Sequence, residues 1–475
     1  MRSALFTDFY ELTMAQGYWK RAGGGSDGRS VFDMFFRRQP FKGGYSVFAG
    51  LQSLLEALAD FRFSGEDLAW LESLGSFERG FLDYLAEFRF RGDVWAAAEG
   101  EVIFPQEPLV RIHADIIEAQ IVEGLVLNTL NFQSLIATKA ARIWRAANFG
   151  RIMEFGLRRA QGFDGACSAS RAAFIGGAEG TSNSLAGRML GIPVMGTMAH
   201  SWVMSFPTEL EAFDAYAEIY PDKTIFLIDT YDTLESGIGN AIASGRALAA
   251  AGRRFGVRLD SGDIAYLSRE VRKALDAAGH PDAFIVVSNE LDEEIIEHLV
   301  ADGAPVDLWG VGTHLVTGGS ESSFTGVYKL AAVERSGALE PTMKLSDNPE
   351  KSTNPGVKQV WRLYDKNGSA LADLVALDEE KVEANCDLVL HHPSTDWRFL
   401  RTCPDSARPL LSKVMEKGRR LGEAPALTAS RAFLRSELGR LDTSYLRHLN
   451  PHGYKVSIST RLRDLKLGFI DRFMK

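Results

Sequence analysis

Cysteine is scarce in this chain. Only Cys167, Cys386 and Cys403 occur among 475 residues, and they lie far apart. That excludes a disulfide framework and predicts a reducing, cytoplasmic setting. No run of about 18 apolar residues is present, so no helical membrane span is expected. The opening residues Met1 to Asp8 lack the apolar stretch and small-residue cleavage site of a secretory leader. Basic excess is absent too: 53 Lys and Arg face 62 Asp and Glu, a formal net charge of −9. A duplex-binding protein shows a basic face, so nucleic acid is not an expected partner. Zinc spacings are missing; Cys386, His391 and His392 are close but have no second ligand pair. The glycine-rich stretch Ala22–Gly28 does not end in the Lys-Ser/Thr of a P-loop.

What is present is apolar, with 45% hydrophobic residues, enough for two or three cored domains. Residues 8–20 predict a helix with Phe9, Leu12, Gln16 and Trp19 on one face, and Asp8 with Glu11 imitates a capping box. Residues 115–148 predict one or two buried helices. The middle third changes rhythm. Short apolar runs recur at 152–158, 193–197, 225–230, 255–260, 284–289 and 308–313, each ending in small or polar residues. Helical stretches at 234–251, 263–278 and 291–302 separate several of them. Apolar strands without alternation, joined by helices, predict a parallel sheet covered on both faces. Right-handed crossovers leave an open doubly wound sheet or a closed barrel. Residues 341–360, with three prolines, predict an ordered loop or domain crossing. A helix near 427–440, a strand near 454–459 and a basic amphipathic helix near 461–474 complete the chain.

The chemically expressive residues fall at the carboxyl ends of the apolar runs, where both parallel architectures bind ligands. Val257-Arg258-Leu259-Asp260-Ser261-Gly262-Asp263 delivers two carboxylates, a hydroxyl and an arginine onto a turn before a helix. Gly262 lets backbone approach a ligand. Asp and Ser are also ordinary helix caps, which is the structural competitor. Gly310-Val311-Gly312-Thr313 can cradle a phosphate through backbone N–H groups, or be a tight turn. In Gly196-Thr197-Met198-Ala199-His200-Ser201, His200 can act as base or nucleophile, or be a satisfied capping histidine. Arg158 and Arg159, behind Glu154 and Phe155, suggest an anionic ligand, with surface salt-bridging as the alternative. No strand-end lysine points to aldolase chemistry.

Taken together these segments resemble the nicotinate phosphoribosyltransferases. The matching stretches are Thr7–Ala15, Glu154–Gly162, Gly196–Ser201, Val257–Asp263, Gly310–Thr313, Gly326–Leu330, and Asn348–Lys351 through Pro355–Lys358, in the family's order over roughly residues 5–365. Phe9 departs from the family's frequent leucine. The resemblance implies an irregular α/β barrel of the type II phosphoribosyltransferase kind plus an α/β sandwich built from both chain ends. The expected divisions are 1–145, 146–339 and 340–475. It implies a homodimer with shared active sites, nicotinate and phosphoribosyl pyrophosphate as substrates, ATP as co-substrate, and Mg2+. Tyr10 would reach in from the partner and stack on nicotinate. Thr197 and Arg258 would contact nicotinate, Thr313 would bind phosphoribosyl pyrophosphate, and His200 would be phosphorylated by ATP. The residue reading adds Phe155 at nicotinate, and Arg158, Ser261, Gly262, Gly310 and Gly312 at phosphoribosyl pyrophosphate. It adds Asp260 and Asp263 as catalytic carboxylates, Asp260 being also a candidate magnesium ligand. The competing expectations are a nicotinamide-type transferase and a silent sugar-phosphate-binding barrel.

Overall fold

The computed structural model describes residues 3–346, 352–395 and 397–473. Two compact units emerge. One is Ile136–Ser322; the other joins Met1–Leu135 to Ser323–Lys475.

The Ile136–Ser322 unit carries the parallel sheet that the apolar runs predict. Its strands run in the spatial order Gly180–Thr181, Arg151–Glu154, Leu308–Val311, Phe284–Val287, Gly256–Leu259, Ile225–Leu227. All neighbours are parallel. Residues 193–197, expected as a strand, contribute only a parallel bridge from Val194 to Thr181. Among the described residues, no strand pairing joins Ile225–Leu227 back to the other edge, so hydrogen bonds do not close the sheet into a barrel. Helices follow the strands as expected. Helix Ile264–Ala277 buries Ser268, Val271 and Leu275, one stripe at helical spacing. Burying Val271 and Leu275 contributes about 1.5–3 kcal/mol each. Because the strands are parallel, Phe155, Asp229, Asp260, Ser288 and Gly312 all emerge at one edge of the sheet.

The other unit is a product of both chain ends. Strand Arg29–Phe36 lies between Val110–Asp115 and Gly326–Arg335, antiparallel to each. A second sheet orders Phe399–Thr402, Leu388–His391, Val456–Ile458, Ala370–Leu377, Lys358–Tyr364 and Ser406–Pro409. Most of these strands went unread in the sequence, because charges sit inside them. Arg362 is buried and pairs with Glu101, Asp373 and Glu437, and buried Lys358 pairs with Asp33 at 2.8 Å. The first helix spans Phe9–Arg21, but the expected capping box is not formed. Asp8 makes no side-chain cap bond, and the Thr7 hydroxyl donates to Glu11 instead. The expected loop at 341–360 runs from the end of strand Ala338–Pro341 to the start of Lys358–Tyr364. Residues 347–351, which hold the matching stretch Asn348–Lys351, lie outside the described residues. No helix among the described residues is long and apolar enough to cross a membrane.

Candidate active site

Arg258 is the hub of the strand-end cluster. It lies in strand Gly256–Leu259, only 16% exposed at its side chain. Its Nε donates to Ser288 Oγ at 2.8 Å, Nη1 to Thr197 Oγ1 at 2.9 Å, and Nη2 to Asp260 Oδ1 at 2.8 Å. Ser288 also donates to Asp260 Oδ1. Burial alone would raise the Asp260 pKa. The Arg258 charge, with hydrogen bonds from Ser288 and Arg258, outweighs it and holds the carboxyl below the usual range. Asp260 is therefore ionised at neutral pH, and its charge is matched in place by Arg258.

His200 opens the short helix His200–Met204. Its Nδ1 lies 3.2 Å from Thr230 Oγ1 and its Nε2 3.8 Å from Asp260 Oδ2, with the side chain 43% exposed. The imidazole is thus oriented yet reachable. Asp229, at the end of the neighbouring strand, fixes the turn below it. One oxygen, Oδ2, accepts the Asp260 amide at 2.9 Å and the Ser261 hydroxyl at 2.6 Å. Gly262 has φ +83°, a conformation that L side chains rarely adopt. Asp263 is spent differently: it caps helix Ile264–Ala277 by accepting Tyr266 N–H at 3.1 Å. The helix-cap role weighed for this segment accounts for Asp263, while Asp260 belongs to the polar cluster.

A small mouth of about 110 Å3 opens beside this cluster. Phe155, Arg158, Arg159, Gly310, Gly312 and Thr313 line it along with Arg258 and Asp260. A Cβ on Gly310 would stand 2.6 Å from the Phe155 ring, so only glycine lets ring and strand touch. Arg158 and Arg159 are exposed on the turn Leu157–Arg159 and form no ion pair among the described residues. The salt-bridging alternative therefore fails, and two cations without an ion pair line a mouth that the Glu290 carboxylate lines as well. Glu154 holds this turn from beneath. It is buried and accepts from Gly156 N–H, Ser170 Oγ at 2.8 Å and Thr181 Oγ1 at 2.5 Å. Thr313 Oγ1 makes only a long 3.5 Å contact to Glu290. Tyr10 lies in the other unit, half-exposed on its helix near exposed Phe6 and Phe9.

The candidate magnesium ligand does not gain a cage. No three His, Cys, Asp or Glu side chains among the described residues could hold a metal ion. Asp260 Oδ1 is already taken by Arg258 and Ser288. Among the described residues there is no all-protein cage for an ion; magnesium usually takes only one or two carboxylates together with substrate phosphates and water.

The sequence matches the profiles of the nicotinate phosphoribosyltransferase (NAPRTase) N-terminal domain at residues 5–131, the NAPRTase family at 150–367, and the C-terminal domain at 357–466. It is 41% identical over 457 residues to a nicotinate phosphoribosyltransferase of Bacillus subtilis, covering 96% of this chain and 93% of that protein. The chain belongs to the nicotinate phosphoribosyltransferase family. A crystal structure of human nicotinic acid phosphoribosyltransferase superposes with a TM-score of 0.86 at 33% identity, covering 97% of this chain and 99% of that one. A Pyrococcus furiosus nicotinate-nucleotide pyrophosphorylase shares the fold, with a TM-score of 0.70 at 24% identity.

In this family member, the strand-end logic of the sequence brought His200, Thr197, Arg258, Asp260 and Ser261 together, and Phe155, Arg158, Gly310, Gly312 and Thr313 around the mouth. It missed Asp229, Ser288, Glu154 and Asn289. Three of these share one signal, a polar residue directly after or ending an apolar strand. Asn289 adopts φ +97°, which no local pattern announces.

Proposed function

We propose that this chain is a cytoplasmic enzyme that joins nicotinate to 5-phosphoribosyl 1-pyrophosphate, releasing pyrophosphate and nicotinate mononucleotide in NAD synthesis. The observation that carries the reading is the pair of arginines without an ion pair, Arg158 and Arg159, lining one mouth with the Gly310–Thr313 turn in a chain of net charge −9. Two cations, backbone N–H groups and a hydroxyl suit a phosphorylated sugar. Phe155 and Thr197, with Arg258, hold the flat pyridine carboxylate; an aromatic face and an arginine suit that ligand. Ser261 and Gly262 take ribosyl or phosphate oxygens. The pyridine nitrogen attacks C1 as pyrophosphate leaves, and positive charge grows on the sugar ring. Ionised Asp260, at the edge of the same mouth, stabilises that charge. Magnesium enters on the pyrophosphate. In this proposal Tyr10 completes the pocket from the second protomer of a homodimer, in keeping with exposed Phe9 and Tyr10 on the first helix and exposed Phe6 just before it.

ATP enters as a phosphoryl donor to His200. An oriented, reachable imidazole supports that role, and a phosphoryl group there sets new negative charge against Asp260 and reorganises the mouth. The test mixes purified protein with nicotinate, phosphoribosyl pyrophosphate and magnesium, with and without ATP, following pyrophosphate and mononucleotide together. Nicotinate is expected to be used in clear preference to nicotinamide. A preference for the amide, or binding without turnover, refutes the reading. His200→Asn is expected to uncouple ATP hydrolysis while leaving slow mononucleotide formation; full ATP-coupled turnover in that variant removes the phosphohistidine.

A further inference from the structure

The Ile136–Ser322 unit contains a second and larger hollow, about 910 Å3 in volume. Its lining is separate from that of the mouth, and among the residues assigned to nicotinate it takes in only Thr197. Arg151, Ile225, Phe284 and Leu308, the first residues of their strands, mark one end of it at the amino edge of the sheet. Gly196, Thr197 and Met198 wall the other side. Closed parallel barrels fill this space with layered side chains. Here the buried cluster among these strands is small, Met153, Ile225, Val286 and Leu308, with partly buried Phe155, Met195 and Phe284 packed against it. Among the described residues, no strand pair closes the gap between Ile225–Leu227 and Val194. The hollow is what an unfilled, unclosed sheet leaves behind.

Its walls have a definite chemistry. Trp202, Tyr216 and Tyr220 form an aromatic row, with ring centroids 5.8 Å apart for the first pair and 5.0 Å for the second. Trp202 is fixed by its Nε1 donating to Ala212 O at 3.0 Å. Val194 and Tyr220 are each 51% exposed, so apolar surface here is open to water. The charges are asymmetric. Asp222 is paired with Arg253, and Arg151 with Glu179. Lys223 forms no ion pair among the described residues. The cation without a partner therefore stands at the rim of an aromatic-walled hollow. Volumes of roughly 300–1,000 Å3 are those of small-molecule sites.

We propose that this hollow is a second ligand site, for a flat multi-ring aromatic anion, and that its occupancy reaches the catalytic mouth through Thr197. The rings lie against the Trp202–Tyr220 row and the anionic group against Lys223. The link is short: Thr197 lines the hollow and its hydroxyl accepts from Arg258 Nη1. A ligand that displaces the Gly196–Met198 wall withdraws that acceptor and loosens Arg258. The expected consequence is a higher KM for the pyridine acid, with kcat little changed. This consequence rests on the function proposed above; the binding itself does not.

The test uses 2-naphthoate as the probe on the full chain, by calorimetric titration. Wild-type protein is expected to bind it saturably. Lys223→Glu is expected to weaken binding by about tenfold or more, and Ser205→Trp, which fills the lining, to abolish it. Neither residue belongs to the catalytic mouth, so both variants should keep wild-type turnover without the probe. Saturating 2-naphthoate should raise the nicotinate KM of the wild type by about threefold or more, and leave Ser205→Trp unaffected. Absence of saturable binding overturns the proposal. Unchanged binding in both variants also overturns it, as does simple competition with nicotinate that persists in Ser205→Trp. If the wild type shows no turnover at all, the proposed function fails while the binding isotherms still decide the site.

Discussion

Replacing Glu154 should separate a positioning role from a chemical one. Glu154 is 1% exposed. It accepts three hydrogen bonds, from Gly156 N–H, Ser170 and Thr181. In Glu154→Ala the two hydroxyls have other partners. Ser170 can turn its hydroxyl to Ala166 O, 3.0 Å away, and Thr181 lies 3.2 Å from Ser170 Oγ. The Gly156 amide has none, and a buried donor left unmade costs about 1–3 kcal/mol. Loss of charge assistance and of the side-chain volume brings the expected destabilisation to roughly 2–4 kcal/mol. Glu154→Gln can still accept the amide while its NH2 donates to the hydroxyls, so about 1 kcal/mol is expected. The Gly156 amide anchors the turn that carries Arg158 and Arg159. Its release should raise the KM for phosphoribosyl pyrophosphate by about tenfold in the alanine variant, 1.4 kcal/mol of binding, with a smaller rise for Gln. Denaturant unfolding and steady-state kinetics measure the two effects. Equal losses for Ala and Gln would mean that the charge, not the hydrogen-bond pattern, matters. An alanine variant with an unshifted unfolding midpoint and unchanged KM would refute the reasoning outright.

Further outcomes follow from three other carboxyl groups. Burial pushes Glu11 up to about 7, partly opposed by the Thr7 hydroxyl, and its Oε1 has no hydrogen-bond partner. A carboxyl whose folded pKa is raised adds stability below its unfolded value, near 4.5, and that contribution is lost as pH rises through about 7. Glu11→Gln should therefore stabilise the protein by roughly 1–3 kcal/mol at pH ~8 and by almost nothing near pH ~4.5; thermal unfolding across pH reads this, and a pH-independent difference contradicts it. Asp263→Ser keeps a capping oxygen and should retain kcat, whereas Asp263→Ala should cost about 0.5–2 kcal/mol of stability. Asp260→Asn should instead lower kcat and also lower the unfolding midpoint, because it leaves half-buried Arg258 without its carboxylate partner. A kcat loss in Asp263→Ser equal to that in Asp260→Asn would return Asp263 to the chemistry.

Much of the catalytic half was legible because parallel strands buried on both faces spell themselves out. Ile225–Leu227, Gly256–Leu259, Phe284–Val287 and Leu308–Val311 are runs that no polar residue interrupts except Arg258. That exception was the functional clue. The other unit hides its strands for the opposite reason. Lys358–Tyr364 and Ala370–Leu377 are buried nearly throughout, yet Lys358, Arg362 and Asp373 break the apolar pattern. Arg362 and Asp373 pair with each other across the hairpin, but the remaining counter-charges, Glu101 and Asp33, come from far away in sequence. Local periodicity cannot announce a strand whose burial depends on distant counter-charges. The same limit explains Asp229 and Ser288. Each looks like an ordinary turn residue until the parallel register sets it beside Asp260.

The charge arrangement also answers how an acidic chain can receive an anionic sugar phosphate. A net charge of −9 repels such a ligand at long range, but salt screens that repulsion beyond about 8–10 Å. What matters is the mouth itself, and there the three arginines are treated differently. Arg258 is neutralised by Asp260 and tied down by Ser288 and Thr197, so it supplies geometry more than free charge. Arg158 and Arg159 have no carboxylate partner, and their turn is held by Glu154 through backbone, not through their side chains. The buried acid thus rigidifies the loop without cancelling its cations. Fixed shape on one wall and unpaired charge on the other is an arrangement that a surface salt-bridge network would not produce, because such a network would neutralise both.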